Sequence, residues 1–242
     1  MYSSIINDAA RTCKLIIITV IYYNNPCSIK PPVNIHKNCA LVFVNDKYHH
    51  TSGWTSISHI YNRSDMPRSA HLIKTSIGKV HHSSTIIYAD YKITSKISAD
   101  VQCLSNLIKP QYTMAVTKHP QFDTRSTLGE ITETIYHMAN RKMEISTFSD
   151  IIRQHDRIRT YGDYNMSQTH IMPDTYFIIW TVPSNDAFVF SQQWTNEVAR
   201  YSMREQINFD FIAKRTNMNF QWLDTMSPFT CEFKQQPISY CI

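Results

Sequence analysis

Apolar positions along the chain fall into short continuous runs alternating with longer stripes at helical spacing. Leu15 to Tyr23 is an unbroken, β-branched run, the pattern of a strand buried on both faces. Asn24-Asn25-Pro26 breaks it, and Lys30-Pro31-Pro32 keeps the next segment irregular. Cys39–Val44 predicts a second buried strand ending at Asn45-Asp46, and Trp54–Ile60 a short third. Pro67 suits the first turn of a helix reaching about Ile77. Thr85–Tyr88 reads as the next strand, ending on Asp90, and Ser98–Ile108 as a helix with Val101, Leu104 and Ile108 on one face and Pro110 as its stop. Tyr112–Thr117 is a further strand. Thr127-Leu128-Gly129-Glu130 has capping-box spacing and opens a helix with Leu128, Ile131, Ile135 and Met138 on one face. Thr147–Arg157 follows as another helix. Thr175–Val182 is apolar and extended, Phe190, Trp194, Val198 and Tyr201 recur at helical spacing, and a last helix runs from Met203 to about Lys214. Residues 1–13 read as a polar N-terminal extension to a domain spanning 14–242, whose tail beyond Asn217 is aromatic and loop-like.

Strands alternating with helices predict one α/β domain, with a mostly parallel central sheet flanked by helices and a Rossmann-like nucleotide-binding half. Ligands of such sheets bind outside the carboxyl ends of the strands. The strand-end residues Asn24, Asp46, Asp90 and His119 are therefore the first candidates.

Composition narrows the chemistry. With 43% hydrophobic and 18% charged residues, the chain has material for a substantial core. Only 4 glycines are present, and neither GxGxxG nor GxxxxGK[ST] occurs, so a phosphate must be held by side chains, a metal or ordinary turns. The net charge of +5 comes from scattered Lys and Arg and favours anionic partners mildly; no basic stripe points to nucleic acid. The six cysteines show no CxxC or metal spacing and read as reduced thiols of a cytoplasmic protein. Leu15 to Tyr23 is too short to span a bilayer, which takes about 20 residues. Much Ile, Asn and Lys with little Gly is the usage of an AT-rich source, and a viral one would place the protein in host cytoplasm.

Two acids stand out. Asp90 closes the run Ile86-Ile87-Tyr88-Ala89, where a carboxylate can hold a divalent ion against a diphosphate or serve simply as a turn residue. The position two on is Lys92, which offers a point charge to the diphosphate in place of a second acid. Glu205 lies in Ser202-Met203-Arg204-Glu205, a capping box, but at a helix start it also suits proton transfer or sugar binding, with Gln206 beside it. Arg68 and Lys74 either reach a nucleotide or form a solvated basic face. The paired histidines 49–50 and 81–82 point to opposite sides of an extended chain and suit surface or packing roles. Trp194 reads as core, and Glu197 as an orienter of Arg200 or Arg204 or a solvent-facing acid.

In this order the blocks Ile18 to Asn24, Phe43-Val44-Asn45-Asp46 with Gly53-Trp54, Pro67-Arg68 through Lys74 with Tyr88-Ala89-Asp90, and Trp194, Glu197, Tyr201 to Gln206 and Phe209 resemble a known family. They are similar to the GT-A-fold glycosyltransferase-like domain of plant mucilage and cell-wall proteins, also found in bacterial and large-virus polysaccharide genes. The resemblance covers roughly residues 14–215. It implies a GT-A fold, a nucleotide-sugar donor (foremost a UDP-sugar), a glycan or glycoprotein acceptor, and Mn²⁺ or Mg²⁺. It puts Asp46 near the base or ribose, Arg68 and Lys74 near the diphosphate, and Asp90 in the place of the metal-binding acid. Glu205 and Gln206 match an Asp-Gln pair at the donor sugar. Glu205 and Asp90 are the catalytic candidates: an inverting transfer makes Glu205 the base, and a retaining one makes it a sugar-binding residue. Two departures stand against the pattern: Glu205 replaces the usual Asp, and Lys92 leaves the acidic metal motif incomplete. The competing readings are a glycosyltransferase-like binding or structural protein without catalysis and a nucleic-acid-binding module.

Overall fold

The computed structural model describes residues 2–21, 35–44, 53–58, 66–94, 100–141 and 148–229. In chain order these form α1 (Tyr2–Ala10), β1 (Leu15–Ile21), β2 (Ala40–Val44), β3 (Thr55–Ser58), α2 (Met66–Thr75), β4 (Ser84–Ala89), α3 (Val101–Asn106) and β5 (Met114–Lys118). They continue with α4 (Thr127–Arg141), α5 (Phe148–Arg159), β6 (Pro173–Val182), α6 (Asn185–Arg200), α7 (Glu205–Thr216) and β7 (Phe220–Leu223).

The described strands make one sheet of order β3-β2-β1-β4-β6-β5-β7. Pairings β1 with β2, β1 with β4, β2 with β3 and β5 with β7 are parallel, whereas β6 runs antiparallel to both β4 and β5. Six carboxyl ends and the amino end of β6 therefore share one edge. Alternation along β1 sends Ile16, Ile18 and Val20 to one face and Ile17 and Ile21 to the other. The first face is covered by α1, α2, α4, α5, α6 and α7, and the second receives Leu104 of α3.

Helices α6 and α7 form the heart of the thicker layer. The rings of Phe190, Trp194 and Phe209 meet pairwise at 5.3 to 5.4 Å, contacts worth about 0.5–1.5 kcal/mol each beyond their burial. Nine consecutive residues of α7, Glu205 to Ala213, are buried, so this helix has no solvent stripe. It ends at Asn217, whose left-handed φ of 50° fills the role that glycine commonly takes at a helix end.

Several expectations are changed. Residues 2–10 form a helix whose Ile6 is fully buried in the core, because its apolar positions recur at helical rather than strand spacing. The tail after Asn217 contains β7, pairing with β5. Helix α4 is capped by Ser126, whose Oγ accepts from the Gly129 N–H at 3.1 Å; the Thr127 hydroxyl instead meets Tyr164, and Leu128 is 41% exposed. The reduced-thiol expectation fails: Cys13 and Cys39 form a disulfide, Cys103 is also disulfide-bonded, and no described cysteine is free. Close approach of β1 and β2 brings the first pair together, which residue spacing does not reveal.

Candidate functional site

The site is built at the shared edge. Helix α7 begins there because α6 ends there: Arg204 occupies the N-cap without a side-chain cap bond, while the Ser202 Oγ accepts from the Arg204 N–H at 3.1 Å. The capping box expected for Ser202 and Glu205 is thus replaced. Glu205, 2% exposed, turns inward. Its Oε1 accepts from the Lys74 Nζ at 2.6 Å and from the Thr175 hydroxyl at 2.5 Å, and its Oε2 contacts the His71 Nδ1. Lys74 also donates to Thr175 at 3.3 Å and lies 5.0 Å from the centre of the Tyr88 ring. Burial would raise the Glu205 pKa; the adjacent His71 and Lys74 more than reverse this and hold it well below the usual carboxylate range. The backbone is fixed as well: the Trp194 indole donates to the Glu205 carbonyl at 2.9 Å, and the Gln206 amide to the Pro173 carbonyl at 3.1 Å.

Strand β6 enters this edge head on. Thr117 pairs with Asp174 while Val116 pairs with Ile178, an irregularity that takes residues 175–177 out of register with β5. Bulges of this kind re-aim side chains beside functional sites. Thr175 consequently reaches Glu205, and Asp174 stands partly exposed next to it. Burial raises the Asp174 pKa to about 6 against the opposing pull of the Tyr176 N–H, Lys74 and Arg204, with Glu205 adding to the rise.

A second buried acid supports the neighbouring rim. Glu130 of α4 is fully buried, with Oε1 accepting from the Arg204 Nε at 2.9 Å and Oε2 lying 3.3 Å from the Arg125 Nε. The Arg204 side chain remains 36% exposed. His119, following β5, accepts from the Gln121 N–H through Nδ1, and burial lowers its pKa.

The remaining candidates are distributed unevenly. Asp90 lies beyond β4 at the same edge, its N–H bonded to the Tyr176 carbonyl at 2.7 Å and its Oδ1 accepting from the Lys92 N–H at 3.1 Å. Lys92 is exposed. Arg68 donates to the Val198 carbonyl at 2.6 Å, the Tyr201 carbonyl at 2.5 Å and Asp150 at 3.3 Å, closing the carboxyl end of α6. Lys74, 4% exposed, belongs to no solvated face. Glu197 pairs with Arg157 at 2.7 Å, not with Arg200 or Arg204. His81 and His82 are exposed, with both N–H groups directed at Asn7. Asn24, Asp46, His49 and His50 lie outside the described residues. No group of three or more metal-ligating side chains occurs among the described residues. Asp90 gives one oxygen to its own turn, and its carboxylate retains acceptor capacity beyond that bond.

The sequence carries no site signal for His71, Thr175 or Asp174, and it shows Glu130 only within a capping box and Arg204 only within the helix-start cluster and as a partner offered to Glu197. The apolar run expected over Thr175–Val182 begins one residue after Asp174, and in a parallel sheet strand starts lie at the edge opposite the ligand.

A mostly parallel, seven-stranded sheet with one reversed strand and a buried acid-base cluster at the common edge is a GT-A-like arrangement. The family model described as TOD1/MUCI70, glycosyltransferase-like domain, matches residues 80–240, more than half of the chain, and the protein belongs to that family. The matched span contains Asp90, Asp174, Glu205 and Gln206; Arg68 and Lys74 precede it. No curated protein and no solved structure matches the chain.

Proposed function

We propose that the protein transfers a sugar from a nucleotide-sugar donor, a UDP-sugar foremost, to a hydroxyl of a glycan or glycoprotein acceptor. The observation that carries this reading is the buried Glu205, Lys74, Thr175 and His71 cluster at the ligand-binding edge of a glycosyltransferase-like domain. The donor would lie across the strand ends, with Asp46 toward its base or ribose and Asp90 and Lys92 toward the diphosphate. Glu205 and Gln206 stand at the donor-sugar end, where the buried carboxylate fixes Lys74, Thr175 and the partly exposed His71. Arg68, already engaged by two carbonyls and Asp150, frames the site by holding α2 to the end of α6. Arg204, supported from behind by Glu130, supplies positive charge facing solvent, the kind of preorganised charge that stabilises a departing diphosphate. No step in this reading passes through a metal.

No described helix is long and apolar enough to cross a membrane. The Cys13–Cys39 bridge supports folding under oxidising conditions in place of the cytoplasmic setting expected from reduced thiols.

A thermal-shift screen of UDP-, GDP- and CMP-sugars, each with and without Mn²⁺, tests the reading. A ligand at 100 times its Kd stabilises by about 2.7 kcal/mol, and a shift for one nucleotide class is the expected result. No shift for any of them, together with no release of UDP, GDP or CMP, would remove transfer in favour of a binding or structural role. Strongly salt-dependent oligonucleotide binding instead would favour a nucleic-acid module.

A further inference from the structure

Three acids meet at the ligand-binding edge, and their surroundings differ. Glu205 is sealed, with Oε1 taken by Lys74 and Thr175 and Oε2 against His71. To accept a proton from an incoming hydroxyl it would have to give up these partners, which also hold its pKa well below the usual range. Asp90 and Asp174 each give one oxygen to the N–H two residues on, but the transfer reading sets Asp90 toward the diphosphate, whereas Asp174 lies beside Lys74, Arg204 and Glu205. Asp174 is partly exposed and sits one residue from the hydroxyl that touches Glu205. Its backbone is pinned: its carbonyl accepts from the Thr117 hydroxyl at 2.5 Å, and Pro173 pairs with Lys118.

We infer that Asp174 is the general base of the transfer, taking the proton of the acceptor hydroxyl as that oxygen attacks the anomeric carbon of the donor. This rests on the glycosyl-transfer reading above. The bond from the acceptor oxygen to the anomeric carbon forms as the bond from that carbon to the diphosphate oxygen breaks. The nucleoside diphosphate departs with the electron pair, the acceptor proton ends on the Asp174 carboxylate, and the anomeric configuration inverts. The charged and titratable groups around Asp174 are Lys74 of α2, Arg204 and Glu205 at the start of α7, and Tyr176 on its own strand. Lys118, on the paired strand, is bonded to Asp224. Burial sets the carboxyl near 6, where a base is ionised at neutral pH yet still holds a proton effectively. The sequence leaves Glu205 between proton transfer and sugar binding; its sealed carboxylate suits it to positioning.

The test compares the wild type with Asp174→Asn and Asp174→Glu, reading UDP-, GDP- and CMP-sugar turnover with water and a glycan panel as acceptors. Nucleoside-diphosphate binding is followed in parallel by thermal shift. Asp174→Asn is expected to keep the thermal shift and lose turnover by about 10²- to 10⁴-fold, with Asp174→Glu recovering part of it. Wild-type kcat/KM is expected to rise with pH on a limb with an apparent pKa near 6, absent from Asp174→Asn. Turnover within threefold of wild type in Asp174→Asn, with the limb unchanged, overturns the assignment while leaving the transfer reading intact. A product of retained anomeric configuration does the same. Should Asp174→Asn fail to fold, the wild-type pH limb and product configuration decide. If the wild type neither binds nor turns over any of these donors, the transfer reading and the base assignment fall together.

Discussion

The Lys74 ammonium and the Glu205 carboxylate meet at 2.6 Å across 131 residues of sequence, both almost wholly out of solvent. Removing one member leaves the other charge buried without compensation. Lys74→Met or Glu205→Met is therefore expected to cost about 3–5 kcal/mol in denaturant unfolding, while the double replacement Lys74→Met with Glu205→Met costs less than either single change. His71 and Thr175, which share the carboxylate, set how far the cycle departs from additivity.

Glu205 also links stability to acid. Its folded pKa is depressed, so its contribution is fully present above the unfolded value of about 4.3 and is lost as pH falls through the lower folded value. Unfolding measured from pH 6 downward should show a steep loss below about pH 4, and Glu205→Gln should flatten it.

Asp174 carries the opposite sign. Its folded pKa of about 6 lies above the unfolded value, so its contribution is present below about pH 4 and declines as pH rises through 6. Asp174→Asn, which cannot ionise, is expected to be more stable than wild type at pH 8, on the order of 1–2 kcal/mol after allowance for its partial exposure, and equal to it near pH 4. Melting curves at the two pH values separate this from a packing effect.

Gly78 shows where one added carbon breaks the α2 to α6 junction. A Cβ there would come within 2.5 Å of the Ala187 carbonyl oxygen, 2.8 Å of the Ser191 Cβ and 2.9 Å of the Trp180 ring. A backbone oxygen, a Cβ fixed to its helix and a buried ring have little room to yield. Gly78→Ala is expected to destabilise by about 1–3 kcal/mol, read as a lower Tm.

The Cys13–Cys39 bridge closes a loop across a sequence separation of 26. A loop of that length restricts the unfolded chain by about 3 kcal/mol. The double Cys13→Ala, Cys39→Ala variant is expected to lose that much in denaturant unfolding relative to the oxidised wild type.

What the chain determines locally is read directly from it. Continuous β-branched runs predict β1, β2 and β4, and the spacing of Phe190, Trp194 and Val198 predicts α6, because burial on one or both faces leaves its period in the residues. The acids at 90 and 205, the cluster Tyr201 to Gln206 and the family likeness are equally visible. Other features have no local signature. Helix α7 is expected, but its burial from Glu205 to Ala213 is not legible; β7 is four residues long, and α4 is capped one residue before the expected position. Two capping boxes are legible in sequence, yet Glu130 and Glu205 turn from their own helix starts to cations brought from α2, the Arg125 loop and the α6–α7 turn, since a buried carboxylate gains more from charge than from a local N–H. The direction of β6 is the decisive case. Hydrophobic period is the same for parallel and antiparallel strands, and only pairing with β4 and β5 brings Asp174 and Thr175 to the edge where Glu205 waits.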